Sequence, residues 1–197
     1  MRTLPSESID LALPDPPYLV NYRPRDRRQI ANDANDDWLH PAYAEMYRVL
    51  KPNTFCVSFY GWPHVERFME TWKECGFRPV SHFAFIKKYP SREGYTKSFH
   101  EVAYLLAKGR PAKPADPPAD VIDWEYTGNP LHPNQKPVDA IQKLIESFSK
   151  RGGVVLDPFA GSGTTGIAAR NCSRDFILIE KVWCYFKDAQ RRLAGAN

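Results

Sequence analysis

The feature that most constrains the fold lies near the C-terminal end, where an apolar strand runs into a glycine-rich turn. Residues 154–166 read VVLDPFAGSGTTG, in which Gly161, Gly163 and Gly166 have the spacing GxGxxG. Glycine adopts positive φ and lets a ligand approach the backbone closely. The next apolar run ends at Glu180, where a nucleotide-binding α/β unit places a carboxylate for ribose hydroxyls. The segment predicts a bound adenosine-type cofactor, with a purely structural tight turn as the alternative.

The position of this unit restricts which cofactor it can bind. Only seventeen residues follow Glu180, so the rest of the sheet must come from residues 1–150. The order of elements is therefore permuted relative to a standard dehydrogenase, and no second glycine loop is present for a second nucleotide half. Pro158 stiffens the turn, and Phe159 offers an aromatic face to a ligand.

Length and composition predict one globular domain over residues 1–197. Of the 197 residues, 43% are apolar and 25% charged, with a net charge of +4 that neither proves nor opposes a nucleic-acid partner. No apolar run is long enough for a membrane span. The four cysteines lack CxxC spacing and the five histidines lie far apart, so no metal site is expected. We interpret the cysteines as buried thiols and the location as cytoplasmic.

Strands alternate with helices along most of the chain, which predicts an α/β fold with a mostly parallel sheet and helices on both faces. Periodicity predicts five helices and six main strands. Helices are expected near 38–49, 65–75, 138–148, 163–171 and 182–193, and strands near 8–13, 54–60, 80–86, 102–106, 153–156 and 176–179. The Pro-rich segment 109–120 predicts no regular element.

A second motif follows the first predicted strand, where Asp15-Pro16-Pro17-Tyr18 forms a loop at a strand's carboxyl end. The Asp15 carboxylate and the Pro16 carbonyl are two adjacent acceptors that suit one NH₂ group. Gripping both N–H bonds restores the lone pair of a delocalised exocyclic amine, which can then attack a methyl sulfonium in line. Tyr18 offers a flat face on which a base can stack. The structural alternative is a rigid turn with Tyr18 in the core.

Together these motifs resemble the amino-methylating DNA methyltransferases of the permuted β type, which use S-adenosylmethionine. The loop at Asp15 looks like the family's DPPY motif, residues 157–165 look like its DPF-x-GSGTT cofactor motif, and residues 132–137 are similar to its HP-x-QKP motif. The segments 38–52 and 99–109 also fit, so the resemblance covers nearly the whole chain.

The resemblance implies a Rossmann-like methyltransferase fold and a role for each matched residue. Asp15 and Pro16 would hold the target amino group, beside Pro17, and Tyr18 would stack on the flipped base. The cofactor would be bound by Asp157, Phe159, Gly161, Gly163, Thr164, Lys136 and Glu180. Aspartate at the head of the catalytic motif favours N6 of adenine, whereas serine favours N4 of cytosine.

Three departures from the family pattern limit these expectations. The chain begins almost at the segment before the catalytic motif, so we expect one N-terminal strand and part of the adenine pocket to be lacking. Pro14 stands where the family commonly has threonine or serine. The stretch available for target recognition, 109–131, is short, which predicts a short site, loose specificity or help from a second subunit as a homodimer.

Two basic clusters are candidates for contact with DNA. Arg23 and Arg25 follow the catalytic loop, while Lys87, Lys88 and Arg92 alternate with tyrosines. Such side chains contact phosphates and unstacked bases. A duplex substrate would have to flip its target base out of the stack.

The sequence therefore predicts an adenine-N6 DNA methyltransferase that uses S-adenosylmethionine. The alternatives are an N4-cytosine enzyme, a catalytically weak DNA-binding remnant of the family, and a nicotinamide-dependent reductase suggested by GxGxxG alone.

Overall fold

The computed structural model describes residues 1–20, 35–90, 92–125 and 135–195, which form nine strands and five helices. The strands are β1 (Ile9–Ala12), β2 (Leu50–Phe59), β3 (Arg78–Lys87), β4 (Arg92–Glu93), β5 (Lys97–Ser98), β6 (His100–Lys108), β7 (Val121–Trp124), β8 (Val154–Asp157) and β9 (Asp175–Leu178). The helices are α1 (Leu39–Val49), α2 (Val65–Glu74), α3 (Val138–Phe148), α4 (Thr164–Asn171) and α5 (Trp183–Leu193).

Seven of these strands form one mixed sheet in the order β7-β3-β6-β2-β1-β8-β9. Only β6 runs against the other six, because it pairs antiparallel with both β2 and β3. The short strands β4 and β5 form a separate hairpin. The predicted mostly parallel α/β fold is confirmed.

The permuted order is visible in the middle of the sheet, where β1 lies between β2 and β8. Leu11 pairs with Val155 and Ala12 with Leu156, so the first strand of the chain runs parallel to the strand that leads into the glycine turn. The two predicted motifs thus follow neighbouring parallel strands. The expected lack of an N-terminal strand stays a prediction; among the described strands, β7 and β9 form the sheet edges.

The helices cover both faces of the sheet. One buried cluster joins Leu11 and Leu13 to apolar residues of α3 and α4. The other joins Ile9 and Ala12 to α1 and α2. Strand β1 is therefore buried on both faces, as expected for a central strand, and the irregularity in its pairing between Ile9 and Leu11 places these two residues in opposite cores.

Strands β2 and β7 differ from the sequence prediction, and the short strands β4 and β5 lie where no strand was predicted. Strand β2 begins at Leu50 rather than Thr54, because its pairing with β1 shifts register between Ile9 and Leu11 and the irregular stretch accommodates Pro52. Strand β7 falls inside the segment predicted for target recognition, and pairs in parallel with β3. Its four residues are too short for a periodic signal.

None of the helices in the described ranges combines the length and apolar character needed to cross a bilayer. The same ranges bring no three His, Cys, Asp or Glu side chains together at a spacing suited to a metal ion. The prediction of uniformly buried cysteines is wrong, because Cys184 is exposed and Cys75 is partly exposed, whereas Cys56 and Cys172 are buried.

Candidate active site

The loop after β1 and the turn after β8 open onto the same cleft, whose volume is about 260 Å³. Asp15 and Pro16 line it from one side, and Phe159 and Gly161 from the other. The two loops lie close together because β1 and β8 are adjacent parallel strands, whose carboxyl ends lie at the same edge of the sheet. Residues that are far apart in the sequence thus share a single cavity.

The β1 loop is held in place by its neighbours on β2. The Phe59 amide donates to the carbonyl of Pro14 at 3.1 Å, so the ladder continues until the residue before Asp15. Gly61 packs directly against Tyr18, and a Cβ at Gly61 would lie 2.5 Å from the Tyr18 carbonyl oxygen. A side chain at position 61 would therefore displace Tyr18.

Asp15 forms a compact polar cluster with Tyr18 and Lys136. The Tyr18 hydroxyl donates to Asp15 Oδ1 at 3.0 Å, and Lys136 Nζ lies 2.8 Å from Asp15 Oδ2. Burial raises the pKa of the Asp15 carboxyl, and the Lys136 ammonium acts in the opposite direction. Burial, together with the neighbouring Asp15, raises the pKa of Tyr18 well above its usual value, so its hydroxyl stays a donor.

The glycine turn has the conformation that its sequence requires. Gly161 and Gly163 have φ of 50° and 80°, in the left-handed region that favours glycine, and Gly163 immediately precedes α4. A Cβ at Gly166 would lie 2.8 Å from Leu178 Cδ1, so this glycine lets α4 pack closely against β9. Thr164 begins α4, and its hydroxyl donates to the Lys136 carbonyl at 3.3 Å.

Asp157 is buried beneath this turn. One carboxylate oxygen accepts from the Phe159 amide at 3.0 Å and the other from the Thr165 hydroxyl at 2.5 Å. Desolvation nevertheless raises its pKa to about 7, because these hydrogen bonds only partly compensate the lost hydration. Asp157 therefore shapes the turn and adds a titratable group at the cleft.

Glu180 connects the end of the β9 segment to the turn. Its Oε2 accepts from the Gly161 amide at 2.8 Å and its Oε1 from the Val182 amide at 2.7 Å. Each carboxylate oxygen keeps a further lone pair, which a ribose hydroxyl could use. The carboxylate thus lies where the spacing predicts it.

Two further residues give the cleft the chemistry of a cofactor site. Phe159 is held by an edge contact with Trp38, their ring centroids lying 5.3 Å apart. Gln135 is buried, lines the cleft, and its Oε1 has no hydrogen-bond partner among the described residues. A buried acceptor without a partner costs free energy, so this oxygen suits an amine of a bound ligand.

The residues predicted to contact DNA have different environments. Lys87 does not fit an exposed phosphate contact, because its side chain is buried and its ammonium pairs with Glu101. Lys88 is exposed, as strand alternation requires, and Arg92 lies in β4. Arg23 and Arg25 lie outside the described residues.

Sequence reasoning did not single out several residues around the Asp15 cluster. Trp124 and Phe59 face the Lys136 ammonium, with ring centroids 5.5 and 4.8 Å from Nζ. Gly61 supports Tyr18, and Gln135, which lines the cleft, has a side-chain oxygen with no partner in the described part of the chain. Only Gly61, directly after a strand, carried a local signal; the others depend on tertiary pairing.

A mostly parallel sheet with a glycine turn and an amine-accepting loop on one cleft defines a class of enzymes that bind a nucleotide-like cofactor beside an amino substrate. Within that class, the chain belongs to the N6/N4 DNA methylase family, whose model matches residues 9–191. This assignment removes the nicotinamide-dependent reductase from consideration.

Two relatives from Escherichia coli (strain K12) match this chain over its full length. YubD, whose name describes it as a methylase, is 52% identical over 197 residues, which cover 87% of YubD. The DNA adenine methyltransferase YhdJ is 28% identical over 238 aligned positions, covering 80% of YhdJ.

Solved structures agree with the fold. A complex of M1.HpyAVI with SAM has a TM-score of 0.76 at 25% identity, covering 98% of this chain and 90% of the other. The PvuII DNA methyltransferase, named as cytosine-N4-specific, has a TM-score of 0.74 at 18% identity, covering 98% and 89%.

Proposed function

We propose that this protein transfers a methyl group from S-adenosylmethionine to the N6 amino group of adenine in DNA. The observation that carries the proposal is the shared cleft, in which the Asp15 loop faces the glycine turn. Membership of the DNA methylase family supplies the reaction class, and the SAM complex of M1.HpyAVI supports the cofactor.

The chain's own residues divide the work between the two sides of the cleft. When bound, S-adenosylmethionine would supply a methyl group on a sulfonium, whose sulfur leaves as a neutral thioether when an amine attacks the methyl carbon. Glu180 would offer lone pairs to the ribose hydroxyls, and Gln135 would offer its side-chain oxygen to an amine. Phe159 would pack against the ligand with Gly161, Gly163 and Thr164. These residues would hold the cofactor in the cleft that Asp15 also lines.

On the other side, Asp15 and the Pro16 carbonyl accept the two N–H bonds of the target amine. Lys136 beside Asp15 favours the ionised carboxylate, which can only accept hydrogen bonds. Tyr18 provides the stacking face, and Pro17 stiffens the loop that carries both. Alignment of the amine with the methyl group then supplies most of the rate, since no strong base is needed.

Adenine is favoured over cytosine by the aspartate that begins the catalytic motif, and by similarity to a relative named as an adenine methyltransferase. Cytosine-N4 methylation is the second candidate, because the same two acceptors suit either amine. The likeness to the PvuII enzyme concerns the fold alone and does not favour cytosine.

The test is incubation of the protein with labelled cofactor and unmethylated DNA, followed by mass spectrometry of the nucleosides. We expect N6-methyladenine from the wild type and no product from Asp15→Ala, which removes the carboxylate acceptor. N4-methylcytosine would refute the choice of base. Retained transfer by Asp15→Ala would refute the role of Asp15.

Calorimetric titration with the cofactor separates an enzyme from a DNA-binding remnant. The wild type and Asp15→Ala should both release binding heat, because Asp15 lies on the amine side of the cleft. A wild type that binds DNA but gives no heat with the cofactor would favour the remnant. Contacts of DNA with Lys88, Arg92, Arg23 and Arg25 stay part of this proposal.

A further inference from the structure

Lys136 occupies an enclosed position between the Asp15 loop and three aromatic rings. Its side chain is buried, and its Nζ lies 4.8 Å from the ring centroid of Phe59 and 5.5 Å from those of Tyr18 and Trp124. An ammonium facing aromatic rings is attracted by their π faces. The cation is therefore held in place rather than free to sample solvent.

The ammonium has more donors than the described residues use. Lys136 Nζ is 2.8 Å from Asp15 Oδ2 and donates to Tyr18 Oη at 3.2 Å. An ammonium carries three N–H donors, so these two acceptors in the described part of the chain leave one donor over. Lys136 and Asp15 both line the cleft, so the ammonium and the carboxylate lie side by side where, under the proposed function, the target amine binds.

We propose that Lys136 is a specificity-determining residue, whose ammonium donates to the ring nitrogen next to the target amino group while Asp15 accepts from that amino group. This inference rests on the proposed function. An acceptor beside a donor is the complement of an H₂N–C=N edge, which adenine and cytosine share. On their pairing edges, guanine and thymine present a carbonyl beside an N–H. The carbonyl would then face the Asp15 carboxylate, and the N–H would face the Lys136 ammonium, so neither hydrogen bond could form.

The same contact directs the methyl group to the exocyclic nitrogen. A ring nitrogen whose lone pair accepts an N–H from Lys136 has no lone pair left to attack the methyl carbon. The exocyclic nitrogen therefore forms the new N–C bond, and the S–C bond breaks with its electron pair staying on sulfur. The methylated nitrogen then releases one proton to the Asp15 carboxylate or to water. Lys136 thus acts on the choice of base and of atom, not on the transferred methyl group.

The experiment replaces the ring nitrogen itself. Synthetic duplexes carry either adenine or 1-deazaadenine, in which that nitrogen is a C–H, at the position the wild type methylates (3-deazacytosine if the product is N4-methylcytosine). Rates are measured as kcat/KM for the wild type, Lys136→Met and Lys136→Gln. Lys143→Met, on an exposed position of α3, is the matched control.

We expect the wild type and Lys143→Met to prefer adenine by about tenfold, the usual range for a hydrogen bond that reads a base. Lys136→Met should lose that preference, and Lys136→Gln, which keeps an N–H donor, should retain part of it. Lys136→Met should also give some ring-methylated base. Cofactor affinity of the folded variants should stay within about threefold of the wild type.

Several outcomes would overturn the inference, and they differ from failure of the proposed function. A wild type that methylates 1-deazaadenine as fast as adenine refutes the inference without any variant, even if Lys136→Met does not fold. Retained preference in Lys136→Met refutes it too, and a large loss of cofactor affinity there would make Lys136 a cofactor ligand instead. A wild type that methylates no DNA base refutes the proposed function and the inference together.

Discussion

Asp157 makes the stability of the fold depend on pH in a direction that can be calculated. Its folded-state pKa is about 7, against 3.8 for an unperturbed aspartate. A raised pKa means that the folded state holds a proton more tightly than the unfolded chain. The protonated carboxyl therefore contributes its full stabilisation below about pH 4. This contribution declines as the pH rises to about 7 and is lost above that pH.

The size of this effect follows from the difference of roughly three pKa units. Each unit corresponds to about 1.4 kcal/mol, so Asp157 alone should change the free energy of unfolding by roughly 4 kcal/mol between pH 4 and pH 7. Because the carboxyl is almost fully buried, solvent screening reduces this figure little. Other groups titrate over the same range, so only a difference from a variant isolates the contribution.

Asp157→Asn is the matched perturbation, since the amide has a similar shape and cannot ionise. Urea denaturation of both proteins at pH 5, 6, 7 and 8 gives the free energy of unfolding at each pH. We expect the wild type to lose stability relative to the variant by about 1.3 kcal/mol between pH 5 and 6, about 1 kcal/mol between pH 6 and 7, and only about 0.4 kcal/mol between pH 7 and 8. Parallel profiles for the two proteins would refute the assignment of a raised pKa to Asp157.

Two further substitutions test the supports of the site. Gly61→Ala should lower kcat at least tenfold, because a Cβ at position 61 collides with Tyr18, while calorimetric cofactor affinity stays within about twofold; Gly94→Ala, which meets no atom, should match the wild type in both assays. Glu180→Gln should weaken cofactor binding roughly tenfold, since a glutamine oxygen replaces only one of the two acceptors used by the Gly161 and Val182 amides. Unchanged rate in Gly61→Ala, or unchanged affinity in Glu180→Gln, would contradict these assignments.

The elements that the sequence predicted well are those with a strong local pattern. Helix α3 spans Val138–Phe148 as expected, because its apolar residues recur at helical spacing and Pro137 sets its start. The strand before the glycine turn was equally clear. In contrast, β7 has four residues and forms only through its parallel pairing with β3, so no local signal could place Trp124 beside Lys136.

In the candidate site, too, the features with a local sequence pattern were predictable and those that depend on tertiary pairing were not. Its backbone parts were predictable, because the turn needs glycine at positive φ and the loop after β1 needs its prolines. The charges were not, since the pairing of Lys136 with Asp15 joins residues 121 positions apart and depends on which strands are neighbours. Lys87 is an example of a charge whose environment the local sequence did not predict. A run of lysines and tyrosines resembled a DNA-binding surface, yet the Lys87 side chain points inward and its ammonium pairs with Glu101.

The permuted order explains why these non-local pairings matter for function. In the proposed reaction the loop after β1 holds the amine and the turn after β8 holds the cofactor, and about 140 residues of chain separate the two strands. Their relative position is therefore fixed by the parallel pairing of β1 with β8, which continues in the bond that the Leu13 amide donates to the Leu156 carbonyl at 2.8 Å, rather than by a short connection. Because in-line transfer is sensitive to displacements of about 1 Å, the residues that join the two loops should affect the rate even where they touch neither reacting atom.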